Sequence, residues 1–179
     1  MFEKFNKKEL GVLDYLLQHC EKEFHLREIS RSLKVSSSTA KMALDKLVKK
    51  GLIKEKKTAN LRIFKCDIEN IIVRQMKITK NISWIMERGL IEILKKELNP
   101  TSIVLFGSFA KGINKEGSDL DILVITNKDR KLKINSIGKY ELQVIIIKPE
   151  EWSRKGRKED PFYYEVVSSG IPLYGKMPL

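Results

Sequence analysis

The sequence predicts an α+β chain in which a small basic helical domain, closed by a β-hairpin, precedes a second domain built on a sheet. Three observations predict it. Apolar residues recur at helical spacing through the first fifty positions and then yield to two short strand-like runs about a turn. A second long helical stretch ends at Asn99-Pro100, because the residue before a proline disfavours helix. Beyond it lie short, continuous runs of Ile, Val and Leu, the pattern of buried strands.

In the first segment, from Asn6 to Cys20, Leu10, Leu13, Leu16 and Leu17 form one apolar stripe. The polar link 21–25 follows. The second helix runs from Leu26 to Leu33, with Glu28 placed to cap its first turn. The third runs from about Ser37 to Lys50 and buries Ala40, Ala43, Leu44, Leu47 and Val48; Ser36 or Ser37 is its N-cap, and Gly51 ends it. Strands 52–57 and 61–65 then flank the turn Thr58-Ala59-Asn60. Positions 68–98 read as helix, divided by Gly89. Strands are expected at 102–106, 120–125 and 140–148, a short helix or turn from Gly107 to Gly112, and a last helix over 162–169 closed by Gly170. Residues 127–136 and 153–160 read as charged loops. The expected organisation is 1–67, a connecting segment 68–98, and 99–179.

The chain has 179 residues, ordinary apolar content and a net charge of +12. That charge points to a polyanionic partner: nucleic acid, a nucleotide or an acidic protein. Cys20 and Cys66 lack paired-ligand spacing, which argues against zinc and for buried free thiols. Neither a signal-type N-terminus nor a membrane-length apolar run is apparent, so a soluble, cytoplasmic protein is expected.

Positions 34–65 carry ten Lys or Arg against two acids, most of the chain's surplus, on the third helix and the hairpin. Ser37, Ser38, Thr39 and Lys41 sit near that helix's N-terminus, where base contacts are made when such a helix enters a major groove. Lys46, Lys49, Lys56, Lys57 and Arg62 are candidates for phosphate contacts. Element order, Gly51 and the placement of charge resemble the winged helix-turn-helix family over residues 6–66. The resemblance implies DNA binding, and two-fold dimers are common among winged regulators.

The chemistry-bearing stretch is 102–124. A buried strand ends in Gly107-Ser108, and eleven residues past Ser108 come Asp119 and Asp121 at the mouth of another strand. Residues i and i+2 of a strand point the same way, so two carboxylates stand side by side. Such a pair is unfavourable unless a proton or cation intervenes, and Mg²⁺ is the natural hard ion beside a triphosphate. Gly107 lets backbone approach a phosphate, Ser108 and Lys111 add a donor and a charge, and Ser118 could orient a carboxylate or phosphate. The pattern GS-x-x-x-G followed by GSDLD resembles the DNA polymerase beta-like nucleotidyltransferases in minimal form, over residues 82–179. The resemblance implies a mixed sheet with helices mainly on one face. It also implies that Gly107 and Ser108 bind an NTP, that Asp119 and Asp121 hold Mg²⁺, and that NMP is transferred to a hydroxyl with loss of pyrophosphate.

The chain departs from that pattern at the third carboxylate. The matching strand places Gln143 there, and glutamine cannot serve as a base; Glu141 shares its face and could replace it. Three functions follow as expectations: an active transferase with a DNA-binding module, a transcriptional regulator with a nucleotide-binding or inactive transferase domain, or a nucleotidylating antitoxin acting on an acidic partner such as a toxin. Some minimal nucleotidyltransferases of this kind pair with HEPN-type ribonuclease toxins.

Overall fold

The computed structural model describes residues 5–58, 61–129 and 132–179. The turn residues Ala59 and Asn60, positions 130 and 131 of the basic loop, and the first four residues lie outside the described set. Two compact units are present, Met1–Lys77 and Ile78–Leu179.

The first unit is a helix-turn-helix with a wing. Helix α1 (Lys7–Gln18) is N-capped by Asn6, whose side chain accepts from the Lys8 and Glu9 N–H groups while Glu9 reaches back to the Asn6 N–H. These bonds satisfy donors that a helix start leaves open. A two-residue strand β1 (Phe24–His25) lies within the link read as irregular; it pairs with the later hairpin. Helix α2 (Leu26–Ser32) begins with Glu28 accepting from the His25 N–H at 2.6 Å. Helix α3 (Ser37–Lys49) is capped by Ser36 and ends before Gly51, whose φ of +67° only glycine adopts freely. Strands β2 (Ile53–Thr58) and β3 (Leu61–Cys66) pair antiparallel, giving the sheet order β1-β3-β2. Val12, Leu13, Leu16, Ile29, Ala43, Leu44, Leu47, Leu52 and Phe64 fill the core, and Cys20 and Cys66, which form no disulfide, are buried in it.

Helix α4 (Ile71–Glu87) follows, then α5 (Leu90–Leu98), separated at Gly89. The second unit contains β4 (Ser102–Leu105), α6 (Gly107–Lys111), β5 (Leu120–Ile125), β6 (Ser136–Ile137), β7 (Tyr140–Ile147), α7 (Pro149–Arg157), α8 (Pro161–Ser169) and β8 (Ile171–Gly175). The sheet order is β6-β7-β5-β4-β8. Strands β5 and β7 are parallel and the other neighbours antiparallel, so the sheet is mixed.

Alternation along the strands divides the core in two. Ile103, Leu105, Leu120, Ile122 and Val124 face one layer with Leu90, Leu94 and Leu98 of α5. Val104, Leu123, Ile125 and Ile147 face the other, with Trp152 of α7 and Val166 of α8. Helices therefore cover both faces, which corrects the expectation of mainly one. The segment read as a charged loop at 153–160 is largely α7. Pro149 opens it, Glu150 and Glu151 occupy its first turn, Arg154, Lys155 and Arg157 its last, and one buried residue, Trp152, anchors it. Its single apolar anchor hides the helical period. Residues 171–175 form edge strand β8. Gly170 closes α8 by close approach, not by positive φ: its φ is −72°, and a β-carbon would lie 2.4 Å from the Val166 carbonyl oxygen.

Candidate functional site

The acids sit where β5 leaves the turn that follows α6. Asp121 lies on the same sheet face as Leu123 and Ile125, the face covered by α7 and α8. Phe106, at the end of β4, donates its N–H to the Asp121 carbonyl at 3.1 Å. That bond sets the next residue, Gly107, directly over the Asp121 side chain. Gly107 has φ +66°, and a β-carbon on it would stand 2.2 Å from a carboxylate oxygen of Asp121. The Gly-Ser turn and the acid pair thus form one cluster, 14 positions apart in sequence but in contact in space.

The Asp121 carboxyl is held above its usual range. Burial against the turn is the first cause; the negative charges of Asp119 and then Glu165 add to it. Two carboxylates with hard oxygen donors and uncompensated charge suit a divalent cation, so the residues fit Mg²⁺ as a two-acid set. Among the described residues no group of three or more His, Cys, Asp or Glu side chains is arranged to hold a metal.

The partners of the other predicted residues are clear. Gln143 is the register partner of Asp121 across the parallel β5–β7 pair, and its side chain is exposed. Glu141, also exposed, pairs with Ser136 at the sheet's edge. Ser108 is half-buried in α6, and its carbonyl accepts from the Ile113 N–H at 3.0 Å. Ser118 closes the turn before the acids: its hydroxyl accepts from the Lys115 N–H at 2.8 Å. Lys111 does not stand free beside the turn; its ammonium donates to Glu165 Oε1 at 2.7 Å.

Sequence reading missed Glu165, because that pairing spans 54 residues and no local pattern encodes it. It also missed Asn81. That residue is buried on α4, and its Nδ2 donates to the Phe109 carbonyl at 3.0 Å and to Asn114 Oδ1 at 2.9 Å. Asn81 therefore braces the last turn of α6.

In the first unit, Ser36 gathers the hydroxyls of Ser38 and Thr39 at 2.9 and 2.8 Å around the start of α3. Ser37, Lys41 and Lys49 are exposed on that helix, beside a Met42 that is 74% exposed. Lys56 and Lys57 are exposed on β2. Two predicted phosphate contacts are engaged within the unit. Lys46 donates to Glu9 Oε2 at 2.7 Å, which lowers the Glu9 carboxyl below its usual range. Arg62 is clamped between Glu55, at 2.6 Å, and Asp45, and its guanidinium lies over the Phe64 ring. These pairs hold Arg62 protonated and the Glu55 carboxyl low.

Among the described residues no helix is long and apolar enough to cross a membrane. No curated protein matches the chain. Several solved structures are similar to parts of it. A possible transcriptional regulator from Methanosarcina mazei is 21% identical and covers 51% of this chain and 78% of its own, with a TM-score of 0.36. ZitR of Lactococcus lactis, solved in complex with DNA, is 22% identical over 52% of this chain and 70% of its own, with a TM-score of 0.36. Sso10a-2, a DNA-binding protein from Sulfolobus solfataricus, is 21% identical over 50% and 97%, with a TM-score of 0.33. Residues 87–166, which include Gly107, Ser108, Asp119 and Asp121, match the family described as nucleotidyltransferase domain.

Proposed function

We propose that the second unit transfers a nucleoside monophosphate from an NTP to a hydroxyl acceptor with Mg²⁺, and that the first unit binds DNA. The observation that carries the transferase reading is the contact of Gly107 with Asp121 beside Asp119. It joins a turn whose backbone is open to phosphate with an acid pair in need of a cation. Asp119 and Asp121 would hold Mg²⁺, which when bound polarises phosphoryl oxygens and neutralises charge on the departing pyrophosphate. Gly107 lets the turn that would bind the triphosphate lie against Asp121, since a β-carbon there would fall 2.2 Å from its carboxylate oxygen. On the same face of β7, Glu141, Gln143 and Ile145 are exposed and offer an open side for the acceptor.

The basic face of α3 and β2, with Lys41, Lys49, Lys56 and Lys57 exposed, supports DNA binding through phosphate contacts. Lys46 and Arg62 serve the unit's own packing in this reading. A second reading has its own observation: Gln143, in register with Asp121, cannot take a proton, which favours a regulator that binds nucleotide without turning it over.

Incubation with each α-labelled NTP and Mg²⁺, with the chain and candidate acceptors present, separates the two. Label in an acceptor supports transfer. Mg²⁺-dependent nucleotide binding with no label supports the regulator, and absence of both removes the nucleotide reading.

A further inference from the structure

A hydroxyl that attacks a phosphorus must surrender its proton, and the residue opposite Asp121, Gln143, cannot receive it. An acid that acts on Asp121 comes from another element. Glu165 lies on α8, the helix covering the sheet face that bears Asp121, and its charge acts on Asp121 together with that of Asp119. It is bound by Lys111 at 2.7 Å. Lys111 belongs to the last turn of α6, the helix that begins with Gly107 against the Asp121 carboxylate. Both side chains of the pair remain substantially exposed, 39% and 43%. Water and a competing anion can reach them, and such a pair is weak enough to exchange. A triphosphate over Gly107 is a denser anion than one carboxylate and competes for the same ammonium.

We propose that the Lys111–Glu165 pair is an exchangeable latch of the nucleotide site: an incoming triphosphate draws Lys111 away, and the freed Glu165 carboxylate takes the proton of the acceptor hydroxyl. This rests on the nucleotide-transfer reading above. As the acceptor oxygen bonds to the α-phosphorus, its proton passes to Glu165. The bond from the α-phosphorus to the bridging oxygen breaks, and pyrophosphate leaves with that electron pair. Neither oxidant nor further reactant is required.

The test is calorimetric binding of ATP with Mg²⁺ to the full chain, together with pyrophosphate release, which reports transfer to any hydroxyl, water included. Glu165→Gln should bind ATP about twofold to fivefold more tightly, because Lys111 no longer has a competing partner. Its pyrophosphate release should fall by about 10²–10⁴. Lys111→Met should move affinity the opposite way, weakening it roughly tenfold. Glu165→Asp should recover part of the release. Opposed shifts in affinity, with release lost in Glu165→Gln, support the latch. Unchanged affinity and release in Glu165→Gln overturn it while the wild-type signal keeps the nucleotide site standing. Wild-type binding without release overturns the proton-accepting role of Glu165 and leaves the binding site intact. No ATP binding by the wild type strikes the transferase reading itself, and the latch with it.

Discussion

Gly107 and Asp121 are in such close approach that a single added carbon on the glycine would fall 2.2 Å from the aspartate's carboxylate oxygen. The relationship makes Gly107 intolerant of a side chain. Gly107→Ala faces both that overlap and a positive φ, which by itself costs an L-residue about 1–2 kcal/mol. We expect a lowered thermal midpoint and loss of Mg²⁺-dependent ATP binding, measured by calorimetry. Wild-type ATP affinity in this variant would refute the placement of a triphosphate over the turn.

Asp121 carries the clearest pH signature. Its folded-state pKa is raised by burial and by its acidic neighbours, so the folded protein retains a proton that the unfolded chain loses first. Stability from this group is greatest below the ordinary aspartate value of 3.8 and declines as the pH rises through the folded-state value. Asp121→Asn should therefore raise the thermal midpoint at neutral pH, and the gain should fade as the pH is lowered through about 4. Mg²⁺ should raise the midpoint of the wild type and not of the variant. Thermal melts across pH 3–8, with and without the ion, check both.

The first unit separates structural from available cations. Arg62 bonds two acids and covers Phe64, so Arg62→Ala should destabilise the unit by about 1–3 kcal/mol. Lys56→Ala with Lys57→Ala should leave chemical denaturation unchanged. This pair should instead weaken duplex DNA binding evenly across sequences and reduce the slope of log affinity against log salt by about two. Unaltered salt dependence would remove β2 from the DNA contact.

Asn81 tests the bracing of α6. Asn81→Ala leaves the buried Phe109 carbonyl and the Asn114 side chain without its amide, a cost of about 1–3 kcal/mol. ATP affinity should fall with it, since the turn at Gly107 opens the same short helix. A destabilised variant with intact ATP affinity would show that the brace serves folding alone.

Much of this was legible along the chain. Apolar stripes, Ser36 and Glu28 as caps, and Gly51 and Gly89 at breaks are local features, decided within a turn or two of backbone, and they located the helices and hairpin of the first unit and the break between α4 and α5. The spacing from Gly107-Ser108 to Asp119 and Asp121 likewise pointed to one cluster, whereas the register that sets Gln143 opposite Asp121 came from the pairing of β5 with β7. Tertiary structure alone decided which charges meet. Lys46 finds Glu9 and Lys111 finds Glu165 across 37 and 54 residues, contacts set by helix packing and by the strand order β6-β7-β5-β4-β8 rather than by neighbours in sequence. It also turned 149–157 into a helix on the second face of the sheet, because one tryptophan buried against Val104 and Ile147 suffices to anchor a segment whose composition otherwise reads as solvent-exposed loop.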